Sequence, residues 1–169
     1  MTRRILAMGA VVVTALLLQS TVFADLRLLG VRPELLYLVT IVFAFLEGPN
    51  EGATIGFIAG LSQDFMLDAP KGITALTLTL LGYGVGMIRQ YVVSASPLLP
   101  TALVAAGTAV GVVFYEIVSF LLGSYAAGLG YGIKVAALSA VYNAVLTPIV
   151  YPVLRRAVEG TRPRRVVRF

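Results

Sequence analysis

Two carboxylates fall inside apolar stretches of this chain, Asp64 within Gly60-Leu61-Ser62-Gln63-Asp64-Phe65-Met66 and Glu116 within Val113-Phe114-Tyr115-Glu116-Ile117-Val118. A carboxylate in apolar surroundings can bind a cation, carry a proton or anchor a hydrogen-bond network, because its charge is costly there without a partner. No lysine or arginine lies deep in the same stretches, so the acids must be protonated, hydrogen-bonded to Gln63, Tyr115, Ser119, Tyr142 or Asn143, or held near an interface. A relay of protons or ions is the sharpest of these chemistries. It is weakened by the absence of a second acid one helical turn from Glu116, and by Asp64 lying near the end of its run. Most other chemistry is excluded by composition: the chain has no histidine and no cysteine, which removes the commonest general base, the thiolate nucleophile and the usual zinc ligands. Gly82-Tyr83-Gly84-Val85-Gly86 sits inside an apolar run and follows no soluble strand, so it is not a phosphate loop. The reading is a non-enzymatic chain without cofactor, metal or nucleic-acid partner.

The elements that must position these groups are apolar helices. Of 169 residues, 59% are hydrophobic and 12% charged, and the mean hydropathy is +0.93, outside the range of ordinary soluble domains. Six runs predict an all-α, polytopic membrane helix bundle occupying 1–158, with spans at about 5–24, 33–46, 51–67, 73–89, 98–122 and 134–154. Residues 159–169 form a basic tail expected to be disordered. The first run is preferred as a retained span over a cleaved signal, although Val22-Phe23-Ala24 loosely resembles a cleavage site. The second is short for a span, bounded by Pro33 and by Gly48-Pro49, and predicts either a crossing of thinned bilayer or a re-entrant hairpin with the third. Pro148 and Pro152 are expected to kink the sixth helix or end it early.

The net charge of +5 does not point to nucleic acid, because the basic residues flank the apolar runs, where lipid headgroups are the nearer partner. With six spans and an internal N-terminus, Arg3, Arg4, Arg89, Arg155, Arg156, Arg162, Arg164, Arg165 and Arg168 lie on the cytoplasmic side. Only Arg27, Arg32, Lys71 and Lys134 lie outside. Nine against four follows the positive-inside rule, and both termini are expected in the cytoplasm of a bacterial inner membrane.

Small residues recur every four positions at Gly48, Gly52, Gly56 and Gly60, with Asp64 next in the series, and again at Ala136, Ala140 and Ala144. Lipid tails are as apolar as leucine, so membrane helices associate through close backbone packing, and such rows make grooves for it. Gly52, Gly56 and Gly60, with the alanine row, are therefore expected to form helix-packing or partner interfaces. Alanine at Gly56 or Gly60 should be tolerated and leucine should not. Asp64, Glu116 and Asn143 complete the candidate set as intramembrane polar groups. Shorter pairs occur at Gly82 and Gly86 and at Gly107 and Gly111.

Several of these features together carry a resemblance. Pro33-Glu34-Leu35-Leu36, the turn Glu47-Gly48-Pro49-Asn50-Glu51-Gly52, the stretch Gly56-Phe57-Ile58-Ala59-Gly60-Leu61 with Asp64, and Pro70-Lys71-Gly72 leading to Gly82-Tyr83 resemble the MreD family of rod-shape-determining membrane proteins. The specific part covers about residues 33 to 90. The resemblance implies a non-enzymatic subunit of the cell-wall elongation complex that binds MreC, a single-span protein. Through MreC it would connect a RodA-type polymerase and a class B penicillin-binding protein with MreB filaments. It also implies a fold similar to the substrate-binding subunits of energy-coupling-factor transporters, which makes a vitamin-binding subunit the alternative function.

Overall fold

The computed structural model describes residues 2–22, 30–31, 33–66, 72–91, 98–123 and 129–160. Arg27, Arg32, Lys71 and the arginines of the basic tail lie outside the described residues. Six α-helices run in order: α1 (Thr2–Thr21), α2 (Leu35–Glu47), α3 (Pro49–Met66), α4 (Ile73–Arg89), α5 (Leu99–Leu121) and α6 (Leu129–Glu159). The fold class is all-α.

The arrangement follows from where each helix is apolar. Leu35 to Ala44 is apolar on every side of the helix, with Thr40 its one non-aromatic polar residue, and a helix of that kind belongs inside a bundle. All ten of these residues are buried. Helix α2 touches each of the other five, which close a ring around it in the order α1, α3, α4, α5, α6 and back to α1. Its 13 residues rise about 20 Å, less than the roughly 30 Å of a hydrocarbon core, and lateral burial in protein relieves it of any need to match the bilayer. Gly48, with φ of 110°, turns the chain at once into α3, so α2 and α3 form a tight hairpin.

Among the described residues, α5 and a stretch of α6, Gly130–Glu159, combine the length and apolarity of a spanning helix, while Met8–Thr21 of α1, α2 and α4 are shorter apolar helices. Helix α6 is continuous over 31 residues with Pro148 and Pro152 inside it, so the prolines do not end it. Both project outward, where a missing N–H and a ring meet the least crowding.

Polarity is distributed as a membrane requires. Val141, Val145, Ile149 and Val153 form one outward stripe of α6, 57%, 66%, 67% and 62% exposed, while Thr74, Thr77, Thr108, Asn143 and Thr147 are buried almost completely. In water this inversion would be destabilising; in lipid the apolar stripe faces its own solvent and the polar groups find partners inside. Thr77 and Thr147 donate to the carbonyls four residues back, Ile73 and Asn143, at 2.8 and 2.6 Å.

Candidate functional site: packing seam and polar cavity

Helices α3 and α4 meet almost backbone to backbone. Gly52, Gly56 and Gly60 line one side of the contact, and a Cβ at Gly56 would stand 2.1 Å from the carbonyl oxygen of Leu78. At Gly60 it would lie 2.5 Å from Ala75 Cα, and at Gly52 2.5 Å from Ala44 Cβ and 2.6 Å from the Gly82 oxygen. From the other side, a Cβ at Gly82 would come within 2.2 Å of the Gly52 oxygen, and one at Gly86 within 2.4 Å of Pro49. Two glycine rows thus interlock, and the α3 row is filled by this chain's own α4. The sequence-based expectation that alanine is tolerated at Gly56 and Gly60 is corrected here: a single methyl already overlaps backbone, which no rotamer change relieves. Gly107 and Gly111 serve α5 differently, admitting the Ile41 and Tyr37 side chains of α2.

Asp64 is 1% exposed, and among the described residues its hydrogen bonds go to backbone amides and not to the side chains expected from the sequence. Its Oδ2 accepts hydrogen bonds from the backbone N–H of Gly72 and Ala75, at 2.9 and 3.0 Å, and its Oδ1 from that of Thr74, at 3.2 Å. These are amides of the first turn of α4, which have no partner within the helix. The carboxylate therefore caps α4 from the last turn of α3, with its charge at the positive end of the helix dipole. Gly72, at φ of 101°, supplies the left-handed conformation that starts the helix there.

Two further side chains act at the start of α2. Gln19 of α1 accepts from the Leu36 N–H at 3.3 Å and donates to Glu34 at 3.4 Å. Asn143 of α6, fully buried, donates through Nδ2 to the Glu34 carbonyl at 2.9 Å and to Thr108 Oγ1 of α5 at 3.0 Å, so one amide ties α6 to α5 and to the entrance of α2. Along the alanine row, Ala136 is buried in the core whereas Ala140 and Ala144 are half-buried.

Glu116 stands apart from these bonded networks. It makes no hydrogen bond or ion pair with another described residue, and it lines a cavity of about 120 Å³ together with Glu34, Tyr37, Gln63, Thr74, Val112, Tyr115 and Val135. Residues of α3, α4, α5 and α6 and the N-terminal end of α2 converge there. The Gln63 Oε1 is buried and has no hydrogen-bond partner. The same Glu116 also lines an apolar crevice between α5 and α6, with Val113, Ile117, Phe120, Leu121, Gly132 and Ile133. Sequence spacing placed no second acid near Glu116; the fold brings Glu34 to the same cavity from 82 residues earlier in the chain. Glu34, Tyr37 and Gln19 were not among the sequence candidates. Their only local signal was position, polar groups flanking the start of an otherwise featureless apolar helix.

Among the described residues, no group of three or more His, Cys, Asp or Glu side chains is disposed to hold a metal ion. The family model described as rod shape-determining protein MreD matches residues 2–157. No curated protein and no solved structure matches the chain. The family match runs from the first helix to the last turns of α6, well beyond the segment whose motifs carried the resemblance: the chain belongs to the MreD family of rod-shape-determining proteins.

Proposed function

We propose that this chain is a non-enzymatic scaffold subunit of the cell-wall elongation complex in the bacterial inner membrane, with both termini cytoplasmic. It binds MreC, and through it couples a RodA-type polymerase and a class B penicillin-binding protein to MreB filaments. The observation that carries this reading is the family match across residues 2–157. The interior agrees with it, since Gly52, Gly56, Gly60, Asp64 and Asn143 are all engaged in holding the chain's own helices together. Partner recognition then falls to the outer surface.

One part of that surface suits a single apolar helix. Helices α4 and α5 diverge to leave an apolar furrow of about 370 Å³ lined by Leu80, Gly84, Ile88, Leu103, Ala106 and Val110, among others. Gly84 faces it, and a Cβ there would meet nothing within 4 Å. No packing within the fold accounts for this glycine, which weakens α4 by about 1 kcal/mol relative to alanine. Close approach of a partner helix accounts for it, and we assign the furrow to the MreC span. The vitamin-binding alternative needs a pocket of about 300 Å³ or more with polar groups to orient the ligand; the polar cavity holds about 120 Å³, and the furrow, which is large enough, is lined almost wholly by apolar residues.

The test is copurification from native membranes in mild detergent, followed by mass spectrometry. Recovery of MreC with wall-synthesis proteins supports the scaffold. Recovery of an ATPase-linked transport module instead would end it. Gly84→Leu should leave abundance unchanged and reduce MreC recovery, and undiminished recovery would remove the furrow as the docking place.

A further inference from the structure

We propose that the protein forms a parallel homodimer through the outer face of α6, in which Lys134 of each protomer enters the α5–α6 crevice of its partner and pairs with the Glu116 there. Two opposite charges at one depth carry the inference. Glu116 lies five residues before the last residue of α5, Leu121, and Lys134 five residues after the first of α6, Leu129, so each stands about 7.5 Å in from its helix end. Glu116 and Ile133 line the same crevice, which puts the two helices in this register. Within one chain the charges do not meet. Neither side chain makes an ion pair or hydrogen bond with another described residue. Lys134 is exposed, and it stands about 100° further round α6 than Ile133, past the crevice and on the outer surface. Charged groups in an apolar setting are costly apart and pair where they can. A copy related by a twofold axis along the membrane normal supplies both missing partners at once, because such a contact is reciprocal.

The face of α6 between these groups suits a second helix. Ala137, Val141, Ala144 and Pro148 follow one another at spacings of four, three and four, the seam of a left-handed helix pair. Ala137, Val141 and Pro148 are exposed and Ala144 is half-buried. The two alanines let backbones approach closely, a main source of association between helices in lipid. Around the helix this seam lies between Ile133, which faces the crevice of its own chain, and Lys134, so two α6 helices packed along it bring each lysine to the other's crevice. The crevice fits what enters it. It holds about 320 Å³, and Val113, Ile117, Phe120 and Leu121 offer apolar walls to the four-carbon stem of the lysine while Glu116 receives the ammonium group. The furrow between α4 and α5 shares no lining residue with this crevice and stays open in the dimer, so the inference is independent of the scaffold reading.

The experiment uses the full-length protein in liposomes at a low protein-to-lipid ratio, with single cysteines introduced into a chain that has none. Oxidation should yield a disulfide-linked dimer from Ala137→Cys, Val141→Cys and Ala144→Cys, which face the twofold axis. It should yield none from Ile58→Cys on α3, exposed on the far side of the ring. Each dimer holds two Lys134–Glu116 pairs, so Lys134→Glu in the Val141→Cys chain should weaken dimerisation by about tenfold, read from the linked fraction over a dilution series in lipid. Exchanging the charges, Lys134→Glu with Glu116→Lys, should restore it. Should the exchanged chain fail to fold, Lys134→Arg and Lys134→Gln decide in its place: arginine should keep the dimer and glutamine weaken it. Absence of linking at all three α6 positions, equal linking at Ile58 and Val141, or dimerisation unchanged by Lys134→Glu overturns the proposal.

Discussion

Replacing Gly56 by alanine is the most direct probe of the seam, because it adds one methyl where two backbones meet. The new Cβ would stand 2.1 Å from the Leu78 oxygen and 2.5 Å from its carbonyl carbon, against an ordinary contact of 3.4 Å or more, so α3 and α4 must part by about 1.3 Å, the difference between 3.4 and 2.1. A gap of roughly 0.5–1 Å already forfeits a quarter to a half of each dispersion contact along the interface. Overpacking of this kind costs about 1–3 kcal/mol, and the absence of any rotamer escape places Gly56 at the upper end. Alanine returns about 1 kcal/mol of helix propensity. The net loss is about 2 kcal/mol, close to thirtyfold in the folded-to-unfolded ratio, and membrane helices have no hydrophobic attraction to offset it. Unfolding of the purified protein by SDS in mixed micelles measures this directly. Gly84→Ala is the control, since its Cβ meets nothing and should leave stability unchanged or raise it by up to about 1 kcal/mol. If Gly56→Ala unfolds within about 0.5 kcal/mol of wild type, the helices are not in backbone contact there and the reasoning fails.

Three other outcomes follow from the same geometry. Asp64→Leu strips three backbone amides of their acceptor and should destabilise by about 2–3 kcal/mol, with Asp64→Asn intermediate because one amide oxygen replaces two; hydrogen exchange at residues 72–75 should quicken in both, and unchanged exchange would disprove the cap. Asn143→Leu removes both bonds that join α6 to Thr108 and to the Glu34 carbonyl, and should cost about 2 kcal/mol, read by the same SDS titration; a Thr108→Val change combined with it should add little, because the two residues share one bond. The topology assigns the α5–α6 turn to the outside, so a cysteine at Leu122 should react with an impermeant thiol reagent in spheroplasts and one at Glu159 should not; the reverse pattern would invert the orientation, and the native chain has no cysteine to confuse the result.

How much of this was legible in the sequence depended on whether the partner was local. The row Gly52, Gly56 and Gly60 is visible because its period is four, and it correctly marks a helix face; that the face meets Gly82 and Gly86 on the next helix is a tertiary fact, although those two share the same period. The uniform apolarity of Leu35 to Ala44 has two physical explanations, lipid on all sides or protein on all sides. Length favours protein, since a helix of 13 residues is well matched to a central post and poorly matched to a bilayer. Asp64 was visible as an acid in a costly place, but its partners are amides rather than side chains, and a search for charges or polar side chains misses them. Its position in the last turn of α3, with Gly72 eight residues on and directly before the first residue of α4, is the pattern that would have shown the cap.

Glu116 makes the opposite case. Read along its own helix it has no acid one turn away, and that argument against a relay considers a single helix in a molecule where five segments meet. Glu34 reaches the same cavity from the start of α2, and that helix is held in place by Gln19 of α1 and Asn143 of α6 at its first turn. The residues that fix α2 as the centre of the ring therefore also fix one wall of the polar cavity. A substitution that loosens α2, such as Asn143→Leu, must disturb both, whereas Glu116→Gln should disturb the cavity and leave α2 in place. Comparing the two separates what the central helix does for the fold from what it does for the site.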